Sequence, residues 1–311
     1  MLAQRRGAFL CKLGPPRVLA DGPKQTRLHW LTKKRRVVCC PFAKKAPTCF
    51  PFMFHLTVLA SGSSGNCALL ETPTTRVLVD AGVSSRKIAQ RLEVLGVKAE
   101  QIDAVLLTHE HSDHASAVGV WARRYKTPIY ANRLTAEALS ADTKGVEWRL
   151  FSTGAEFQLG VLKVQSFAIP HDAAEPVGFV FKHEEHSVGF LTDLGVATKM
   201  VLERVRPVHT LVLEANHDEK LLQDDTRRPW AIKQRIFSRH GHLSNAAAAE
   251  VLAEIAGGNL RRAVLGHLSE DCNTPDLALR TVRARLDSGA GASLEVLCAP
   301  SPATGERLLV G

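Results

Sequence analysis

From about residue 54 onward, short apolar runs alternate with amphipathic stretches and turn residues. Residues 55–60 and 67–71 predict two strands, and Val77-Leu78-Val79 a third that ends in Asp80-Ala81-Gly82. Ser84 or Ser85 then caps a predicted helix through Leu95, with Ile88, Leu92 and Leu95 on one face and Gly96 at its end. Ala104-Val105-Leu106-Leu107 reads as a buried strand, 115–125 as a helix, 128–131 as a strand and 134–139 as a short helix. Stretches 157–160 and 162–169 predict paired strands, because Leu162, Val164 and Ser166 alternate. A second hairpin follows at 177–181 and 188–191, with Glu184-Glu185 at its turn. Thr210 to Leu213 is a further buried strand, and 227–239 looks helical and basic. An Ala-rich helix begins after Gly241-His242-Leu243-Ser244-Asn245 and is stopped by Gly257-Gly258. A strand at 263–267, a helix opened by Thr274-Pro275 and a strand at 294–298 complete the order. No internal repeat is visible. The alternation predicts an α/β (α+β) fold of two mixed sheets covered by helices.

The polar residues between these runs change that picture from a fold to a chemistry. Thr108-His109-Glu110-His111-Ser112-Asp113-His114 places three imidazoles and two carboxylates directly after the apolar run 104–107. Crowded imidazoles at the end of a buried strand need partners or a cation, and zinc or manganese accepts this mixture of nitrogen and carboxylate oxygen. The plain alternative is a solvated, charged turn, although turns seldom carry this density of His. Other strand ends also carry His or acid: Asp80, His171, Asp193, Glu214 and His267. Taken singly, each of these is an ordinary loop residue. The Ser61-Gly62-Ser63-Ser64-Gly65-Asn66 loop has two readings of equal weight. It is a flexible hairpin turn, or a cradle in which backbone N–H groups and the side chains of Ser63, Ser64 and Asn66 meet phosphate oxygens.

Composition redirects attention away from the net charge of +9. Residues 1–52 hold twelve Lys/Arg against one acid, Asp21, which leaves 28 basic and 30 acidic residues in the remainder. The body is therefore nearly neutral. Three readings compete for the basic extension: a targeting peptide, a nucleic-acid-binding arm, or sequence upstream of a true start at Met53. The last is favoured, because the organised pattern begins within two residues of Met53, and it makes 53–311 the catalytic domain. Cys67, Cys272 and Cys298 form an odd, scattered set in the body, which reads as reduced thiols in a reducing compartment, with the cytoplasm as the default. No run of eighteen apolar residues exists, so no membrane-spanning helix is expected.

Taken together, the His-x-His-x-Asp-His pattern at 109–114, with Asp80, His171, Asp193 and His267 in order at strand ends, resembles the motif series of the metallo-β-lactamase fold. The resemblance implies a four-layer αββα sandwich with metals at one edge of the sheets. It assigns His109, His111 and His171 to one metal and Asp113, His114 and His267 to a second. Asp193 would lie between them, and Asp80 would orient the ligands from behind. Asp113 in its slot favours two divalent ions, zinc or manganese, sharing a hydroxide aimed at an ester.

Glu214-Ala215 together with His242-Leu243-Ser244-Asn245-Ala246-Ala247 is similar to the ribonuclease Z branch. There, a Glu–His dyad protonates the leaving oxygen of a phosphodiester. The alternative role for His242 is to cap its helix. Only 21 residues separate His171 from Asp193, too few for a protruding RNA-gripping arm, and 193–267 is too short for the extra domain of the β-CASP nucleases. With Glu214–Asp218, Gly241–Asn245 and Gly266–Ser269, the chain most resembles the compact YycJ/WalJ-like branch. That implies a 5′-to-3′ exonuclease on single-stranded DNA, with Ser63, Ser64 and Asn66 seating phosphate. Two other functions remain open. One is hydrolysis of a small phosphodiester or other ester, suited to the near-neutral body. The other is a non-catalytic, metal-containing protein that binds nucleic acid through its extension.

Overall fold

The computed structural model describes residues 54–287, 289, 291–299 and 306–310. The 1–52 extension and the expected start at Met53 lie outside these described residues. The chain runs β1 (His55–Ala60), β2 (Cys67–Glu71), β3 (Arg76–Val79), α1 (Ser85–Val94), β4 (Ala104–Leu106), α2 (Ser112–Ala115), α3 (Val118–Tyr125), β5 (Ile129–Asn132), α4 (Arg133–Ala138) and β6 (Trp148–Phe151). It continues β7 (Glu156–Leu159), β8 (Leu162–Ala168), β9 (Val177–His183), β10 (His186–Leu191), α5 (Lys199–Val205), β11 (Thr210–Glu214), α6 (Glu219–Asp224), α7 (Trp230–Phe237), α8 (Asn245–Ile255), β12 (Arg262–Gly266), α9 (Pro275–Leu286), β13 (Glu295–Cys298) and β14 (Leu308–Leu309).

Two seven-stranded mixed sheets result, in the orders β14-β1-β2-β3-β4-β5-β6 and β13-β12-β11-β10-β9-β8-β7. The period-2 alternation of strands explains the layering. In β3, Val77 and Val79 enter the core between the sheets, whereas Leu78 faces Ile88 of α1 and Trp121 of α3. In β11, Val212 enters the same inter-sheet core, whereas Leu211 and Leu213 face α5, α8 and α9. Helix, sheet, sheet and helix thus stack as four layers, the expected αββα sandwich.

Some details depart from the pattern-based expectation. The helix expected at 115–125 starts only at Val118, as α3, and Ala115 ends the separate α2, because Ala117 N–H bonds Ala81 O and Ser116 Oγ bonds Gly82 O, tying this stretch to the end of β3. The basic helix expected at 227–239 spans only α7, since Pro229 sets its start. β6, α5 and α6 carried no expectation. β6 is half exposed along its length and so shows no clean alternation. Cys67, Cys272 and Cys298 are unpaired thiols. Among the described residues no helix is long and apolar enough to cross a membrane.

What matters for function is strand direction. β3 runs parallel to β4, and β10, β11 and β12 are mutually parallel. Asp80, the 108–114 loop, Asp193, Glu214 and His267 therefore emerge at the carboxyl ends of parallel strands, where open sheets offer side chains to ligands.

Candidate active site

The 108–114 loop turns immediately after β4 into α2, and this short helix presents Asp113 and His114 in its single turn. Asp80 braces it. Its Oδ1 accepts from Thr108 N–H (2.8 Å) and Thr108 Oγ1 (3.0 Å), and its Oδ2 lies 2.8 Å from His114 Nδ1. With Nδ1 donating to Asp80, His114 Nε2 carries the lone pair. That nitrogen lies 3.0 Å from Asp193 Oδ2 and 3.4 Å from Asp113 Oδ2.

The other candidate ligands arrive singly. His171 Nδ1 donates to Gly241 O at 3.1 Å, which leaves Nε2 facing His111 Nδ1 at 3.4 Å. His267 Nδ1 donates to Glu214 Oε1 at 2.8 Å, which leaves Nε2 3.1 Å from Asp113 Oδ2. Donor atoms of His109, His111 and His171 form one set that could hold an ion, and those of Asp113, His114, Asp193 and His267 form another. A third set, Asp193, Glu214, His242 and His267, overlaps the second.

The donor atoms fit a divalent cation on independent grounds. His109 Nε2 and Asp193 Oδ2 are buried without a hydrogen-bond partner, an arrangement that costs free energy unless another partner is supplied. Burial holds His109 well below its ordinary pKa, so the ring is neutral and keeps a lone pair. The cluster suggests divalent metal binding.

Backbone conformation supports the same reading. Asp80, Asp193 and His267 all have positive φ, at 61°, 56° and 54°. A non-glycine residue held there is strained by about 1 kcal/mol or more, and such residues gather at functional sites. Each strand end turns sharply to aim a side chain into the cluster. Gly82 permits the approach of the loop backbones, since a Cβ there would lie 1.6 Å from Asp113 O.

Glu214 joins the cluster to a further imidazole. Its Oε1 meets His242 Nδ1 at 2.6 Å as well as His267 Nδ1, while Oε2 accepts from Leu194 and Leu243 N–H. Burial alone would raise the carboxyl, but the two imidazoles pull its pKa down to about 2. Burial likewise opposes a charged His242, yet Glu214 outweighs it and raises the ring above its ordinary value. The cap of α8 is Ser244, which accepts from Ala247 N–H. His242 is therefore not the cap; it points to Glu214.

A cavity of about 290 Å³ opens beside the cluster, lined by His111, Asp113, Asp193, His242 and His267 on one wall and by Ile232, Arg235 and Ile236 of α7 on another. A larger cavity, about 590 Å³, is lined by Ala197, Leu202, Ala247 and Val251 and contains none of these groups.

The Ser61–Asn66 loop is only partly placed as a phosphate cradle. Ser63 lines the cavity, whereas Ser64 is exposed and absent from its lining. Asn66 is buried, its Oδ1 accepting from Gly62 N–H and its amide nitrogen 3.4 Å from Asp113 Oδ2. Its backbone N–H bonds Asp113 O at 2.8 Å. The small residues of this loop thus bring it against the 108–114 loop, and the Asn66 amide nitrogen is turned to that loop's own side chains, 3.0 Å from His114 Nε2 and 3.4 Å from Asp113 Oδ2.

The β-lactamase superfamily domain matches residues 75–268. The chain is 38% identical over 251 residues to the exodeoxyribonuclease WalJ of Streptococcus pneumoniae serotype 2, covering 78% of this chain and 93% of that relative. It is 35% identical over 248 residues to the exodeoxyribonuclease YycJ of Bacillus anthracis, covering 78% and 94%. The chain belongs to the β-lactamase superfamily, in the family of these exonucleases. Among solved structures, the metallo-β-lactamase fold protein YhfI of Bacillus subtilis superposes with a TM-score of 0.65 at 18% identity, over 82% of this chain and 99% of that one.

The matched superfamily domain contains Asp80 through His267, and with them all three candidate metal sets and the Glu214–His242 pair. Three supports of this domain were not anticipated. Ser61 Oγ accepts from His267 N–H at 2.7 Å, Asn216 Nδ2 donates to His267 O at 3.0 Å, and Gly241 O receives His171. None has a signal in the one-dimensional pattern, because each partner is distant in the chain.

Proposed function

We propose that this chain is a metal-dependent phosphodiesterase that removes nucleotides from the 5′ end of single-stranded DNA. The observation that carries the reading is the Glu214–His242 pair set against the ligand cluster: hydrolysis of an ester with a poor leaving group needs a proton donor beside the reacting centre. His109, His111 and His171 would hold one divalent cation and Asp113, His114 and His267 a second, with Asp193 serving both. Zinc and manganese both suit this donor set. Such ions neutralise charge on a phosphate oxygen and lower the pKa of water they hold.

The chain's own groups do the rest. Asp80 and Glu214 fix the tautomers of His114 and His267, so that each presents Nε2 to the cluster. Glu214 also occupies His242 Nδ1, so the remaining ring nitrogen passes its proton to the leaving oxygen. Ser63, on the cavity wall, offers its hydroxyl to a phosphate oxygen. The names of the relatives support DNA as the substrate class.

The test is digestion of end-labelled single-stranded DNA with Mn²⁺, with Zn²⁺ and with chelator, beside Asp113→Ala. Metal-dependent loss of nucleotides from the 5′ end, abolished in the variant, is expected. Hydrolysis of bis(p-nitrophenyl) phosphate without any cleavage of DNA would replace this reading with a small-phosphodiester hydrolase.

A further inference from the structure

Between residues 226 and 240 the chain carries Arg227, Arg228, Lys233, Arg235 and Arg239 and no acid. In a body that carries 28 basic and 30 acidic residues in all, this is a concentrated basic stretch, and it includes α7, one wall of the cavity. Most of these cations are already engaged. Arg227 and Arg228 share Asp225 and Asp271, and Lys233 is buried with its Nζ on Gln223 O. Arg235 differs. It lines the cavity with its side chain 53% exposed and is paired with Asp172 alone among the described residues. Arg228 also lines the cavity, but its side chain is 25% exposed and held by two carboxylates, and Arg239 is exposed off the cavity lining. Asp172 follows His171 directly and is itself partly exposed.

An exposed single ion pair contributes little net free energy, so a stronger anion displaces it readily. A phosphodiester is such an anion, because the planar guanidinium meets two of its oxygens at once. The neighbouring side chains on the same wall, Ile232 and Ile236, offer apolar surface of the kind a sugar or base covers. The distribution of charge thus favours one occupant, the backbone of a nucleic-acid strand crossing the lip of the cavity toward the cluster.

We propose that Arg235 is a strand-positioning residue: it binds a backbone phosphate next to the scissile one, and Asp172 holds the guanidinium in place until that phosphate displaces it. This rests on the nuclease reading above. It adds the element that grips the strand, which the near-neutral body otherwise lacks.

The experiment compares wild type, Arg235→Gln, Arg235→Lys and Asp172→Asn on single-stranded DNA at several salt concentrations, with bis(p-nitrophenyl) phosphate as a reference lacking neighbouring phosphates. For Arg235→Gln, KM on DNA is expected to rise about tenfold relative to the reference. The slope of log KM against log salt should become shallower by about 0.7, the value of one lost contact to a single strand. Arg235→Lys should recover the slope but only part of the KM, since it keeps the charge and loses the fork. Asp172→Asn breaks the same ion pair but frees the guanidinium, so KM on DNA should hold or fall. If Asp172→Asn raises KM as much as Arg235→Gln, the pair is only a latch for α7 and the proposal is wrong. An unchanged salt slope in Arg235→Gln also overturns it. If wild type hydrolyses the reference but no DNA, the nuclease reading itself fails.

Discussion

The two sheets contribute to the site in different ways. The first delivers His109, His111, Asp113 and His114 from one short loop after β4, braced by Asp80 from the adjacent parallel strand. The second delivers His171, Asp193, Glu214, His242 and His267 one at a time, from segments spread across almost a hundred residues. Each sheet nevertheless has one buried carboxylate in the same office. Asp80 fixes His114 on the first side, and Glu214 fixes His267 and His242 on the second. A contiguous loop forms its half of the site by local geometry. The other half exists only when three parallel strands are in register, and Asp193 is where the halves meet.

Removing that meeting point should do the most damage. Asp193→Ala is expected to lower turnover on DNA by on the order of a thousandfold, since charge stabilisation by the metals contributes several kcal/mol. Metal content per chain, measured alongside, should fall as well; full activity with two ions bound would mean the halves work independently.

Next in size is His242, the proposed proton donor, which belongs to the second sheet alone. His242→Ala should reduce kcat on DNA by about 10² to 10⁴, the usual range for a general acid, while metal content stays near the wild-type level. Because p-nitrophenolate departs without protonation, the loss on bis(p-nitrophenyl) phosphate should be much smaller. Equal losses on both substrates would remove His242 from the acid role.

The orienting carboxylate of the first sheet offers a milder comparison. Asp80→Asn should weaken metal affinity by about 10- to 100-fold, as is typical for a residue behind a ligand. Its turnover at saturating metal should remain closer to wild type than that of Glu214→Gln, which disturbs a ligand and the acid together. Titration with Zn²⁺ followed by assay separates the two. The smallest effect is expected at Ser63, where one neutral hydrogen bond is at stake: Ser63→Ala should raise KM on DNA about 2- to 10-fold with kcat little changed. Ser64→Ala, at an exposed position off the cavity, should match wild type in the same assay.

This contrast also explains what could be read before folding. The 108–114 cluster declares itself because its ligands are neighbours in the chain and no packing requirement accounts for them. Asp80, Asp193 and His267 were legible only as members of a motif series, since a lone acid or His after a strand is commonplace. The bracing by Ser61, Asn216 and Gly241 was not legible at all. Asn66 shows the same boundary from the other side. Its residue type suits a phosphate, but its amide is engaged on Gly62 and against His114 and Asp113. Arg235 was one charge in a basic run until α7 placed it on the cavity lip, while Arg227, Arg228 and Lys233 were engaged by other groups.

By itself the sequence determined the alternation of strands and helices, the two-faced strands that make four layers, and the donor-rich cluster at 108–114. These follow from side-chain periodicity and from the chemistry of single residues. Tertiary structure alone decided which nitrogen of His114, His171 and His267 faces the cluster and which carboxylate serves two rings. Those are properties of pairs that the parallel strand ends bring within 3 Å or so of one another, and no local pattern records them.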